Sequence, residues 1–110
     1  MINETIERIE TQIQQSGSLS DQQKGELQRL LTTLRDEITS LSQTHDEEAQ
    51  SIAGFTQLST HEATRQQRNP HLVKLSLEGL TSSVEGFEAT HPRLVQIVNS
   101  ISTILANMGI

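Results

Sequence analysis

An all-α fold is predicted, and three observations predict it. Apolar residues recur at spacings of three and four, the period of one helical face. No stretch alternates apolar and polar residues as a half-buried strand does. The chain of 110 residues has two Phe and no Trp or Tyr, whereas strands favour aromatic and β-branched side chains. The expected architecture is a helical bundle with antiparallel coiled-coil seams. It comprises a short N-terminal helix, a long second helix and a C-terminal αα-hairpin, in one domain over residues 1–110.

The first helix is expected over residues 1–15. Ile2, Ile6, Ile9 and Ile13 step four, three, four and so share a face. Glu4 stands four before Arg8, a modest supporting pair. "SGSLS", residues 16–20, ends this helix, with Gly17 suited to a left-handed cap. Ser20 followed by Gln23 forms a capping box that opens the next helix.

The second helix is expected over residues 20–67. Leu27, Leu31, Leu34, Ile38 and Leu41 continue the four-three step, and the same frame reaches His45, Glu48, Ile52 and Phe55. No proline interrupts it before Pro70. One continuous helix from about Asp21 to about Arg65 is therefore favoured, with a break at "SQTHDEE" (residues 42–48) as the alternative. Residues 56–69 are the least committed segment, because Leu58 and Ala63 are its only apolar residues. They read as a thinly packed helix extension or a connection, and residues 43–69 are expected to exchange amide protons before residues 94–105 do.

Asn69 and Pro70 restart the order as N-cap and first helical residue. Val73, Leu77, Leu80, Val84 and Phe87 then form a seam, flanked by Leu72 and Leu75, and predict a helix over 70–89. Pro92 excludes helical geometry from the residue before it and starts the last helix, 91–108. Leu94, Val98, Ile101, Leu105 and Met108 are its seam, with Ile97 and Ile104 alongside. The short connection makes these two helices an αα-hairpin.

The residues from Phe87 to the C-terminus, "FEATHPRLVQIVNSISTILANMGI", resemble the tail of a family of small bacterial proteins classed as domain of unknown function 4404. The resemblance rests on a phenylalanine with an acidic residue, a His-Pro-Arg-Leu step, an amphipathic helix and a terminus like "MGI". The opening is similar too: a short helix, a Ser/Leu/Asp turn and a long leucine-rich helix. The resemblance implies a helical bacterial protein and no assigned activity or catalytic residue.

Charge excludes some functions. The net charge is -6. Residues 1–50 hold ten acidic and four basic side chains, and residues 51–110 hold four of each. A chain of this balance does not attract phosphate backbones, and its one basic cluster, Arg65, Arg68, His71 and Lys74, has no interleaved aromatics to stack bases. No nucleic-acid partner is expected. That cluster suits an acidic partner, or the acidic half of a second copy. The absence of cysteine excludes disulfides and thiolate chemistry. "MINETIERIE" is charged and lacks an apolar signal-peptide core, and no stretch supplies the about 18 apolar residues of a membrane span, so a cytoplasmic location without membrane contact is expected.

Catalytic constellations are missing from the sequence. A zinc site needs about four converging ligands, yet the nearest histidine pair, His61 and His71, is ten residues apart. His45 with Glu48 suits at most one weakly held divalent ion, and "DEE", Asp46 to Glu48, reads first as an acidic solvated turn. His91 in "THPR" reads as a turn residue. Asp36 and Glu37 lie on a polar face, where a solvated carboxylate does no acid–base work. No Gly-x-Ser-x-Gly elbow and no Gly-rich phosphate loop occur. No enzyme activity and no cofactor are expected.

The last helix is apolar over a wide face and bears Gln96, Asn99, Ser100, Ser102, Thr103 and Asn107 opposite. A membrane-surface helix would carry Lys and Arg there, so protein is the expected neighbour. A core role comes first and an external groove second. The candidate partner or oligomer interface is Ile52, Phe55, Leu94, Ile97, Ile101, Ile104, Leu105 and Met108. Two copies are expected to associate, because Ile52 and Phe55 extend the second stripe beyond the reach of the first helix. The expected role is non-enzymatic self-association or protein interaction. The rivals are a small adaptor or chaperone-like regulator that binds another protein's helix, and a weak metal- or ligand-binding bundle using His45 with Glu48.

Overall fold

A computed structural model describes residues 2–109. Five helices follow in order: α1 Ile2–Gln15, α2 Asp21–Ser42, α3 Asp46–Thr64, α4 Pro70–Ser83 and α5 Pro92–Gly109. Among the described residues there is no strand.

The helix starts follow side-chain chemistry. Ser20 accepts the Gln23 amide N–H at 3.1 Å, and the Gln23 side chain accepts the Ser20 N–H at 3.0 Å. This reciprocal pair satisfies two amides that a helix N-terminus otherwise leaves without partners. Asn69 accepts from the amides of His71 and Leu72 and caps α4, with Pro70 behind it.

The favoured single helix from Asp21 to Arg65 is two helices. At 1.5 Å per residue that helix would be about 68 Å long, whereas the longest dimension of the molecule is 37 Å. The chain turns at Gln43–His45. The Leu41 carbonyl collects the amides of Thr44 and His45 at 3.1 and 2.8 Å, and His45 leaves helical geometry at φ -137, ψ 64. Asp46, Glu47 and Glu48 then occupy the first turn of α3. There they face the partial positive charge of a helix N-terminus, a local reason for starting a helix at this point.

The turn lets α3 pack against all four other helices. The segment expected to be thinly packed is thus the centre of the bundle. Ala49, Ile52, Ala53, Thr56, Ser59, Thr60, Glu62 and Ala63 are buried along it. Small side chains suit a helix surrounded by others, because they let the backbones approach. The desolvation of the buried hydroxyls is offset, since each has a partner. Thr56 and Thr60 donate to the carbonyls four residues back at 2.7 and 2.8 Å, and Ser59 Oγ donates to the Ser76 carbonyl of α4 at 3.0 Å.

Around this centre the large apolar residues form one cluster. Ile6, Ile9 and Ile13 of α1, Leu27, Leu31, Leu34, Ile38 and Leu41 of α2, and Leu94, Val98, Ile101 and Leu105 of α5 are all at most 1% exposed. Helix α1 packs on α2 and α3, and α5 packs on α2, α3 and α4. The apolar stripe of the last helix is therefore covered by its own chain.

Helix α4 stops at Ser83, short of the expected residue 89. Its last amides close a tighter turn, with Val84 N–H donating to the Thr81 carbonyl at 3.3 Å and Glu85 N–H to the Ser82 carbonyl at 3.1 Å. Gly86 then takes φ +94, a left-handed conformation that side chains other than glycine rarely adopt, and its N–H is accepted by Glu88 Oε2 at 2.9 Å. Residues 84–91 are thus a built connection between α4 and α5.

Candidate interaction surface

Most of the expected interface lies inside the single chain. Ile52, Leu94, Ile97, Ile101, Leu105 and Met108 are buried and belong to the core cluster. Ile104 is partly buried against that cluster, and Phe55 alone of the eight is exposed. The expected bare extension of the second stripe does not arise for Ile52, because the turn at Gln43–His45 folds it under the other helices.

The large apolar side chains that do face solvent are Phe55, Leu58, Leu72 and Leu75, at 37, 44, 36 and 48% exposure. Phe55 and Leu58 stand three apart on α3, and Leu72 and Leu75 three apart on α4, so each pair shares a face. All four line one shallow depression together with Glu62 and Ser76. Beneath it the Ser59–Ser76 hydrogen bond ties α3 to α4. Isolated exposed leucines are ordinary, but a gathered set marks a contact surface. Of these four the sequence pointed only to Phe55. The available signal was that Leu72 and Leu75 fall out of phase with the Val73–Leu80–Val84 seam.

The neighbouring charges are partly committed. Glu62 is buried at the end of the patch and accepts from Arg65 Nη1 at 3.0 Å, with His61 Nε2 at 4.0 Å. Arg68 Nη1 donates to the Met108 carbonyl and so pins the approach to α4 onto the end of α5. Half of the basic cluster therefore serves the fold. His71 and Lys74 are exposed on α4.

A second feature lies at the other end of the α3–α4 pair. A groove of about 570 Å³ is lined by His45, Glu48, Ser51 and Phe55 on one side. Its other side is Gly79, Ser82, Ser83, Glu85, Gly86 and Phe87. The Phe87 ring meets His45 and His91 edge to face, with ring centres 5.6 and 5.5 Å away. Each imidazole is held at Nδ1 by the threonine before it, Thr44 at 2.8 Å and Thr90 at 2.9 Å. Among the described residues no three His, Cys, Asp or Glu side chains gather to hold a metal ion. No helix of the described residues is long and apolar enough to cross a membrane.

A family model described as Domain of unknown function (DUF4404) matches residues 27–110. Neither the curated proteins nor the solved structures contain a match to the chain.

Proposed function

We propose, from the premise that this chain belongs to the DUF4404 family, that it is a non-enzymatic interaction protein whose copies pair through the α3–α4 face. The observation that carries this reading is the gathering of Phe55, Leu58, Leu72 and Leu75 on one surface, outside a core that buries most other large apolar residues. An apolar patch is complementary to itself, which is what a two-fold interface needs.

Charge supports a second copy as the occupant. On α4, His71 stands four residues before Leu75 and Glu78 three after it, on the same flank. Two α4 helices crossing antiparallel about Leu75 would set His71 of each copy opposite Glu78 of the other. The coiled-coil character of the seams and a cytoplasmic setting belong to this same reading. They are supported by the three-four spacing of the leucines and by the lack, among the described residues, of a helix long and apolar enough to cross a membrane.

The test is the absolute mass of the intact chain by light scattering after gel filtration. The reading expects twice 12.2 kDa at micromolar concentration, and a strictly monomeric chain at high concentration would overturn it. The adaptor reading uses the same face for another protein's helix, and such a monomer would favour it.

A further inference from the structure

We infer that the groove between His45 and Phe87 binds a small organic cation of the diamine or polyamine class. The inference goes beyond self-association: the groove shares Phe55 with the apolar patch but runs from it to the end of the α3–α4 pair away from Leu58, Leu72 and Leu75.

Three observations converge. The chain has two phenylalanines and no Trp or Tyr, and both phenylalanines line this groove. Its charged rim is Glu48 on α3 and Glu85 after α4, and no Lys or Arg is among the described residues that line it. It also receives the C-terminal turn of α4, whose last turn carries no basic residue. The carbonyl end of a helix carries partial negative charge and favours a cation. The α3 N-terminus, which would favour an anion, is already faced by Asp46 and Glu47 of its own first turn, while Glu48 lines the groove.

This chemistry selects among cations. A bare divalent ion needs several gathered oxygen ligands, and no such group is present among the described residues. An alkyl diamine fits better. Its methylenes cover aromatic surface, its ammonium groups are attracted to ring faces, and the two walls offer one carboxylate each, Glu48 and Glu85. Two glycines hold the rings in place: Gly79 leaves room for Phe55, and Gly86, at φ +94, turns the chain before Phe87.

The test titrates 1,4-diaminobutane into the full ¹⁵N-labelled chain at constant ionic strength. Saturable shifts are expected, confined to residues 45–55 and 79–87. Glu48→Gln and Glu85→Gln should each weaken binding about threefold, and together about tenfold, as for exposed ion pairs. Both variants alter surface carboxylates and should keep the fold, which circular dichroism checks. No saturation, equal shifts from sodium chloride, or unchanged affinity in the double variant would overturn the inference. Light scattering on the same samples separates this result from self-association: a monomer that binds the diamine sinks only the pairing, and a dimer that does not sinks only the cation site.

Discussion

The Phe55 ring of α3 lies so close to Gly79 of α4 that a Cβ at position 79 would overlap it. The glycine is therefore part of the seat of the ring, and the pair joins the apolar patch to the cation groove. Gly79→Ala should gain about 1 kcal/mol of helix propensity and lose a comparable ring contact, leaving stability within about 1 kcal/mol of the wild type. Phe55→Ala should cost about 1–2 kcal/mol, less than a fully buried ring. Because the two residues touch, the costs should not add, and a double-mutant cycle by urea denaturation should show coupling of about 1 kcal/mol. Additivity within about 0.3 kcal/mol would show that the ring is not seated on residue 79.

The central place of α3 gives the second prediction. Its amides from Ile52 to Ala63 are wrapped by four helices and should exchange as slowly as those of residues 94–105. Ala63 is fully buried, so Ala63→Leu overpacks the centre and should cost about 1–3 kcal/mol in chemical denaturation. Fast exchange across α3 would contradict its burial.

The contrast with the sequence reading has a physical cause. The seams of α1, α2 and α5 were legible because large aliphatic residues at three-four spacing are seldom spent on solvent. Helix α3 reads as thinly packed because, apart from Ile52, its buried face is Ala, Ser, Thr and one Glu, which do not stand out as an apolar stripe. Such residues can be buried only when their hydroxyls find partners, and those partners are carbonyls of the fold. The break before α3 did leave a trace: three consecutive acids, Asp46 to Glu48, fit a helix's first turn as well as a solvated turn. The exposed patch was hardly legible at all. Leu58, Leu72 and Leu75 become one surface only through the packing of α3 on α4.

Local capping is open to a separate test. Asn69 satisfies the amides of His71 and Leu72 at the start of α4. Asn69→Ala should cost about 1 kcal/mol, seen as a thermal midpoint lowered by about 4–8 °C for a domain of this size. The helix carrying Leu72 and Leu75 would fray first. A midpoint unchanged by this substitution would show that Pro70 alone sets the helix start.

The last prediction separates core from surface with two charge insertions. Ile101 is 1% exposed in α5, and Leu75 is 48% exposed on α4. Aspartate at 101 has no cation to pair with among the aliphatic residues around it, so Ile101→Asp strands a charge in the core. The cost is several kcal/mol, a large share of the about 5–15 kcal/mol that holds a domain together. Loss of helical circular dichroism at 25 °C is expected, at any protein concentration. Glutamate at 75 meets water in the single chain and meets its own copy in the pair. Leu75→Glu should therefore leave the circular dichroism and the monomer's melting nearly unchanged while halving the mass in solution, since two like charges would face each other at the two-fold axis. The outcomes cross. A folded Ile101→Asp variant would remove α5 from the core, and a Leu75→Glu variant that stays dimeric would move the interface off the α3–α4 face.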